Sequence, residues 1–157
     1  MPPSDPAGTG ARRDEAPDGV DLQRLSALLI RHEGMRLKPY RDSVGKLTIG
    51  VGRNLDDVGL REEEARFLLE NDLRAVIAEL QPLPWFAALD PPRKHAIIDM
   101  GFNLGLPRLL GFRRMIAAIE RGDWPAAADE MLDSRWARQV GRRAEELART
   151  MRTGEEP

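Results

Sequence analysis

Residues 32–52 read HEGMRLKPYRDSVGKLTIGVG, and this segment predicts the end of a helix followed by a β-hairpin. Gly34 follows the last residues of a helical pattern, which is typical of the glycine just beyond a helix C terminus. Two short strand-like pieces come next, at residues 37–41 and 46–51. The residues that join them, 42–45, read Asp-Ser-Val-Gly and predict a tight turn, because aspartate, serine and glycine favour turn conformations.

An amphipathic helix is predicted before the hairpin, over residues 21–33. Asp21 is a residue type that caps helix N termini. The side chains that share one face at helical spacing are Leu22, Leu25, Leu28, Leu29 and His32. The first 20 residues are rich in proline, glycine and aspartate and have no apolar run. We therefore expect a disordered leader there, without a cleavable signal sequence.

The remainder of the chain predicts helices only. They are expected over residues 61–80, 92–104 and 107–120, from about residue 125, and over residues 142–151. The predicted fold class is therefore α+β and predominantly helical. A small N-terminal lobe with the hairpin, about residues 21–60, is joined by a connecting helix, about 61–80, to a helical C-terminal lobe, about 81–154. The tryptophans, Trp85, Trp124 and Trp136, are interpreted as core side chains rather than sugar platforms.

The composition excludes several kinds of enzyme. The 157 residues include no cysteine and two histidines, so disulfide scaffolds, thiolate zinc sites and cysteine nucleophiles are ruled out. His32 and Glu33 begin like the zinc-peptidase motif H-E-x-x-H, but Arg36 stands where the second histidine would be. No serine lies in a G-x-S-x-G context. We expect neither a metal ion nor an organic cofactor.

Charge is unevenly distributed along the chain. The net charge is −2, so we expect no nucleic-acid partner, yet residues 93–152 carry 12 Lys and Arg against 8 Asp and Glu. Such a surplus is typical of a solvated helical surface and also of a surface that meets an anionic polymer. No apolar run reaches the roughly 18 residues of a membrane span, so we expect no stable membrane insertion.

Three residues around the hairpin could together carry out acid–base chemistry. Glu33 lies at a helix C terminus, whose partial negative charge favours a carboxyl group that keeps its proton, as a general acid must. Asp42 lies in the turn and Thr48 in the return strand. Taken singly, Glu33 is typical of a surface glutamate, Asp42 of a turn aspartate and Thr48 of a strand threonine. Two carboxyl groups that flank a sugar bond are the usual requirement for glycoside hydrolysis, so the arrangement points to that reaction.

The same segment resembles the active-site region of phage-type lysozymes, glycoside hydrolase family 24. Those enzymes show E-G-x-R-L-x-x-Y-x-D and then T-I-G-x-G, which residues 33–42 and 48–52 match. The similarity continues through residues 99–105, 111–112, 134–136 and 152–154, and it covers about residues 22–154. The resemblance implies a lysozyme-like fold and cleavage of the β-1,4 bond between N-acetylmuramic acid and N-acetylglucosamine in bacterial peptidoglycan.

The resemblance also implies a role for each matching residue. Glu33 would donate the proton, while Asp42 and Thr48 would position the attacking water. An arginine of the last helix, which falls on Arg143, would pair with the catalytic glutamate. The residues expected to bind substrate or to support the site are Arg143, Asn103, Gly52 and Gln139.

Two departures from the family pattern concern the hairpin. Arg53 follows Gly52 where some relatives have histidine, so an ion pair centred on that histidine is absent. The segment 54–59 is also short, which would trim a substrate cleft.

The resemblance further implies a biological setting. Synthesis in the host cytoplasm would be followed by release to the cell wall or periplasm through a holin-like partner, or by delivery in a virion. We expect a monomer with peptidoglycan as its partner. Two alternatives stay open: a lytic transglycosylase that uses Glu33 as both acid and base, and a non-catalytic peptidoglycan-binding or virion module.

Overall fold

The computed structural model describes residues 17–157. Residues 1–16 of the expected leader lie outside this range. The chain divides into two compact units, one that ends at Arg61 and one over Glu62–Pro157. The α+β, predominantly helical fold class is confirmed, with one antiparallel sheet in the first unit and helices throughout the second.

The N-terminal unit begins with α1, Leu22–Glu33. The predicted cap is present, because the Asp21 carboxylate accepts the backbone N–H of Arg24 at 2.9 Å. Gly34 ends the helix at a φ of +76°, and its N–H donates to the Ile30 carbonyl. Glycine reaches this left-handed region without steric cost, and the chain can therefore turn directly into the sheet.

Three antiparallel strands follow in the order β1 (Arg36–Arg41), β2 (Leu47–Gly50) and β3 (Arg53–Asn54). Tyr40 pairs with Thr48, and a β-bulge lies between Arg36 and Tyr40. The sequence patterns did not predict β3, which is two residues long and carries too little pattern to detect.

The C-terminal unit is helical over its whole length. Its helices are α2 (Glu62–Leu80), α3 (Pro84–Ala87), α4 (Pro91–Leu104), α5 (Leu106–Leu110), α6 (Arg113–Glu120), α7 (Trp124–Leu132), α8 (Arg135–Val140) and α9 (Arg142–Thr153). The single helix expected over 107–120 is wrong, because the chain breaks between α5 and α6. A Cβ added at Gly111 would lie 3.1 Å from the Arg108 carbonyl oxygen, so this turn is tight enough to favour glycine.

One hydrophobic core holds the C-terminal unit together. Its fully buried members include Leu80, Ile97, Met100, Met131 and Met151, which come from α2, α4, α7 and α9. The interpretation of the tryptophans as core side chains is confirmed. Trp136 is buried in the core, while Trp85 and Trp124 are partly buried and pack against it.

A buried arginine joins the two ends of this core. Arg93, in the first turn of α4, is only 9% exposed. Its Nε donates to the Met151 carbonyl oxygen at 2.7 Å, and its Nη1 donates to the Asp90 carboxylate at 2.6 Å. The guanidinium also stacks on Trp124, 4.1 Å from the ring centroid. Arg93 thus satisfies a carbonyl that the last turn of α9 leaves without a helical partner.

Gly154 is held against this arginine. It ends α9 in the left-handed conformation, at a φ of +73°. A Cβ there would lie 2.9 Å from Nη1 of Arg93. We expect Gly154→Ala to lower the free energy of unfolding by about 2 kcal/mol, from backbone strain and displacement of Arg93.

Chemical denaturation measures this loss, and Gly122→Ala is the matched control. Gly122 has a φ of +71° with open space around its Cβ position, so only the strain of about 1 kcal/mol is expected. Equal losses in the two variants would contradict the packing of Gly154 on Arg93.

Asp90 makes part of the stability depend on pH. Burial alone would raise the pKa of the Asp90 carboxyl. Hydrogen bonds from the side chain and backbone of Arg93, together with the charge of Arg93, outweigh this effect and hold the pKa below its ordinary value of 3.8. The ionised carboxylate therefore stabilises the fold above the unfolded pKa, and this contribution is lost as the pH falls through the folded pKa. Because the side chain is 39% exposed, we expect Asp90→Asn to cost about 1 kcal/mol at pH 7.

Asparagine retains an oxygen that can cap α4, so this substitution isolates the charge. Urea unfolding at several pH values tests the prediction, with the two proteins converging in stability below the ordinary pKa of 3.8. A gap that stays constant down to low pH would assign the effect to the cap instead.

Candidate active site

Glu33 is the last residue of α1 and is exposed. Gly34 and Met35 separate it from β1, whose first residue, Arg36, pairs with Gly50 of β2. The helix therefore ends directly beside the start of the sheet. No described residue forms a hydrogen bond or ion pair with the Glu33 carboxyl group, so its oxygens are available to a ligand.

Asp42 closes the hairpin with one of its two carboxylate oxygens. Its Oδ1 accepts the backbone N–H groups of Val44 at 3.0 Å and Lys46 at 2.8 Å. The Asp42 N–H in turn donates to the Lys46 carbonyl at 2.9 Å, and Gly45 N–H donates to the Asp42 carbonyl. Within residues 17–157, nothing donates to Oδ2, so the second oxygen is free for chemistry while the first holds the turn.

Thr48 is the most buried of these three residues, at 3% exposure. Its Oγ1 donates to the Lys46 carbonyl oxygen at 3.0 Å. A hydroxyl that has committed its proton in this way presents its lone pairs outward as acceptors. Thr48 Oγ1 can therefore accept a hydrogen bond from a water molecule, but it cannot donate one to the water without breaking its bond to the Lys46 carbonyl.

The sheet register places Asp42 and Thr48 on the same face of the hairpin. Tyr40 and Thr48 are cross-strand partners, so their side chains share a face, and Asp42 follows Tyr40 by one strand period of two residues. The peptide units of Lys46 connect the two functional groups, because Lys46 N–H binds Asp42 and Lys46 C=O binds Thr48. The sequence patterns did not single out this bridging role of Lys46.

A side-chain contact ties the hairpin to the segment that follows it. Lys46 Nζ forms an ion pair with the Asp57 carboxylate at 2.9 Å. The hydrogen bond lowers the pKa of Asp57, although desolvation opposes this, and it raises the pKa of Lys46. Asp57 also accepts the side-chain amide of Asn54 at 3.0 Å, so β3 and the short loop after it are fixed to the hairpin.

In the C-terminal unit, one face of α4 carries the predicted residue Asn103 and the partner of the predicted residue Arg143. Asn103 Oδ1 accepts the indole N–H of Trp136 at 2.8 Å. One turn earlier, Asp99 accepts Nε of Arg143 at 2.7 Å and forms an ion pair with its Nη2 at 2.7 Å. Sequence analysis missed Asp99, although its spacing of four residues from Asn103 was a detectable signal. The pairing of Arg143 with Glu33 stays a prediction.

The other two supporting residues lie in different units. Gly52, in the N-terminal unit, adopts a φ of +74° with open space at its Cβ position, so the backbone there is accessible. Gln139 lines a cavity of about 750 Å³ in the C-terminal unit together with Trp136. Their assignment to substrate binding stays a prediction.

Two searches of the described residues gave negative results. In residues 17–157, no group of three or more His, Asp or Glu side chains is arranged to hold a metal ion. No helix in that range is both long and apolar enough to cross a membrane.

Comparison with known proteins gives a consistent set of matches. A family model described as phage lysozyme matches residues 30–155. A relative described as probable T4-type lysozyme 1, from Dictyostelium discoideum, is 30% identical over 85% of this chain and 96% of its own length. A SAR-endolysin of Escherichia phage Mu is 32% identical over 72% of this chain and 66% of its own length.

A third relative belongs to a virion. The pre-baseplate central spike protein of Enterobacteria phage T4 is 28% identical over 83% of this chain, and the match spans 28% of that larger protein.

The double use of Asp42 yields a structural prediction. Asp42→Asn retains an oxygen that can accept from Val44 and Lys46, so the turn should persist, whereas Asp42→Ala removes both hydrogen bonds. We expect the alanine variant to lose about 1–2 kcal/mol of local stability, while the asparagine variant stays within about 0.5 kcal/mol. Amide hydrogen exchange at Val44 and Lys46 measures this. Equal protection in the two variants would show that the turn does not depend on this oxygen.

Proposed function

Because the chain belongs to the phage lysozyme family and is a peptidoglycan-lytic enzyme, we propose that it hydrolyses the β-1,4 bond between N-acetylmuramic acid and N-acetylglucosamine. The observation that carries the proposal is the division of labour within Asp42. One carboxylate oxygen fixes the hairpin and the other is left unbonded on the face that Thr48 shares. The turn uses the first oxygen, whereas no hydrogen bond within residues 17–157 uses the second.

Glu33 is proposed as the general acid. It transfers its proton to O4 of N-acetylglucosamine as the bond from that oxygen to C1 of N-acetylmuramic acid breaks. The position of Glu33 at the end of α1, with two residues between it and the first strand of the sheet, suits this role. The unpartnered carboxyl group of Glu33 also leaves its proton free to point at a substrate oxygen.

Asp42 and Thr48 are proposed to hold the attacking water. Thr48 Oγ1, whose own proton goes to the Lys46 carbonyl, accepts one hydrogen of the water, and the free oxygen of Asp42 accepts the other. The water lone pair is then directed at C1. As the new C–O bond forms, a water proton passes to Asp42, and exchange with solvent restores both carboxyl groups.

This arrangement predicts inversion at the anomeric carbon. Water attacks from the side opposite the leaving group, so the two carboxyl groups must be roughly 6.5–9.5 Å apart to leave room for it. Proton NMR of the reaction in deuterated buffer tests this prediction, because the anomeric proton of the first product should show the α-anomer before mutarotation.

Residues of the C-terminal unit and of the hairpin end are proposed to bind the glycan or support the catalytic groups. The amide NH₂ of Asn103 has no acceptor among the described residues, since only its oxygen is used by Trp136, so it can donate to a sugar or peptide carbonyl. Arg143 is proposed to contact Glu33 while Asp99 orients its guanidinium. Gly52 is proposed to present backbone groups to a sugar, and Gln139 to donate from the cavity wall.

The biological role is proposed to be degradation of the bacterial cell wall by a monomer. The proposed routes to the cell wall are release through a holin-like partner and delivery within a virion, and the spike-protein relative fits the second route. A lytic transglycosylase would need neither Asp42 nor Thr48, so their geometry favours hydrolysis. A non-catalytic module would need none of the three residues.

We expect Glu33→Gln to reduce release of soluble muropeptides from purified Gram-negative peptidoglycan by about a thousandfold, because a general acid contributes on this order. Glu120→Gln, at an exposed glutamate of α6, is the control and should retain full activity. Mass spectrometry of the products should show reducing ends from the wild type. Anhydro products would assign a transglycosylase, and tight wall binding without products would leave a binding module.

A further inference from the structure

A cavity of about 750 Å³ lies within the C-terminal unit, and all of its lining residues belong to that unit. Its rim carries four arginines, Arg108, Arg113, Arg114 and Arg135, and we refer to it as the arginine pocket. All four side chains are exposed and reachable by a ligand. The proposed function uses only Gln139 from its wall.

The four guanidinium groups have no partner of their own. Among residues 17–157, no carboxylate or carbonyl oxygen forms a hydrogen bond or ion pair with any of them. Other arginines of the same unit are paired: Arg143 with Asp99 and Arg152 with Asp129. The arginine pocket is therefore a concentration of uncompensated positive charge in a part of the chain where carboxylates are plentiful.

Three of the four arginines lie at helix positions that are unfavourable for stability, whereas Arg108 lies in the last turn of α5, where a cation is favourable. Arg113 and Arg114 are the first two residues of α6, and Arg135 is the first residue of α8. A helix N terminus carries partial positive charge, so a cation there is repelled. Three arginines therefore break this local rule, and residues that do so without an evident compensating contact are expected at functional sites.

The interior of the arginine pocket is aromatic and rigid. Phe112 and Trp136 meet edge to face, with ring centroids 6.3 Å apart. Asn103 fixes the Trp136 ring by accepting its indole N–H. Leu104 and Met115 complete the apolar lining. Such a floor can contact the small apolar side chains of a peptide while the charged rim meets its ionised groups.

The rim also contains two carboxylates without partners, Glu130 and Asp133. They would repel a ligand that bears only negative charge, such as a polyphosphate or an anionic lipid surface. They would attract an ammonium group carried by the same ligand. The pocket thus matches a chain that has several carboxylates and an amine, which is the chemistry of a peptidoglycan stem peptide with a free diamino acid.

We propose that the arginine pocket binds the ionised carboxylates of the stem peptide and makes the enzyme selective for free carboxylates over their amidated forms. The inference rests on the proposed function for its substrate class. An ionised carboxylate accepts charge-assisted and bidentate hydrogen bonds from a guanidinium, whereas a carboxamide brings no charge and offers one oxygen. Arg113 and Arg114, adjacent at the start of α6, are the principal determinants.

Binding of soluble stem tetrapeptides to the whole chain tests the inference. The two probes are the free acid and the form amidated on its glutamyl carboxylate, and the Trp136 indole N–H resonance reports occupancy. Neither probe contains a glycosidic bond, so the result does not depend on catalysis. We expect the free acid to bind about tenfold more tightly, with an affinity that falls as salt rises.

Matched variants identify the responsible residues. Arg113→Gln and Arg114→Gln should each weaken binding of the free acid about fivefold, and the double variant should bind the two probes within about twofold of each other. Arg138→Gln removes the same charge from α8 outside the pocket and should leave both affinities unchanged. The thermal stability of the two α6 variants should stay equal or rise, because a cation leaves the helix N terminus.

Three results would overturn the inference. The first is equal affinity of the wild type for both probes. The second is an equal effect of Arg138→Gln. The third is binding of phosphatidylglycerol vesicles that depends on Arg113 and Arg114 while the tetrapeptides leave Trp136 unperturbed, which would assign the pocket to a lipid surface. Loss of glycan cleavage with intact peptide selectivity would instead contradict the proposed hydrolase and leave the pocket as a peptide-binding site.

Discussion

The guanidinium of Arg93 joins the first turn of α4 to the last turn of α9, and the helical core is assembled around that connection. The group is buried, so its charge must be matched, and the matching groups come from three places along the chain: Asp90, Trp124 and the Met151 carbonyl. Removal of a single partner would leave a desolvated charge, which is costly. Because α9 is fixed in this way, Arg143 at its other end lies within hydrogen-bond distance of Asp99. Asp99 and Asn103 then lie on one face of α4.

A second constraint acts in the N-terminal unit, where one oxygen of a single carboxylate fixes the hairpin and the other is left unbonded among residues 17–157. The turn between β1 and β2 is short, so its backbone N–H groups converge on one acceptor, and Asp42 supplies it. The same bonds hold the other oxygen of Asp42 in a fixed direction. The Lys46 peptide groups also fix Thr48, because the Thr48 hydroxyl donates its hydrogen bond to the Lys46 carbonyl oxygen. Preorganisation of this kind lowers the reorganisation needed when charge develops in a reaction.

The arginines of the C-terminal unit fall into two groups with different physical roles. Arg93, Arg143 and Arg152 are paired with carboxylates and contribute to the positions of α4 and α9. The pocket arginines have no partner within residues 17–157, and three of them, Arg113, Arg114 and Arg135, lie at helix starts where the dipole opposes them. Charge surplus alone, which is all that composition provides, does not separate the two groups. The separation depends on which carboxylates the packed helices bring within reach.

The sequence by itself determined the local elements and singled out the residues that are proposed to react. Helical periodicity, the Asp21 cap, Gly34 and the turn at Asp42 depend on neighbours a few residues apart, so they were predictable from the chain alone. The tertiary structure decided whatever depends on distant residues: the break between α5 and α6, the Asp99 partner of Arg143, and the burial of Arg93 against Met151, 58 residues away. Packing brings these groups together, and no local pattern encodes which of many similar arginines and aspartates will meet.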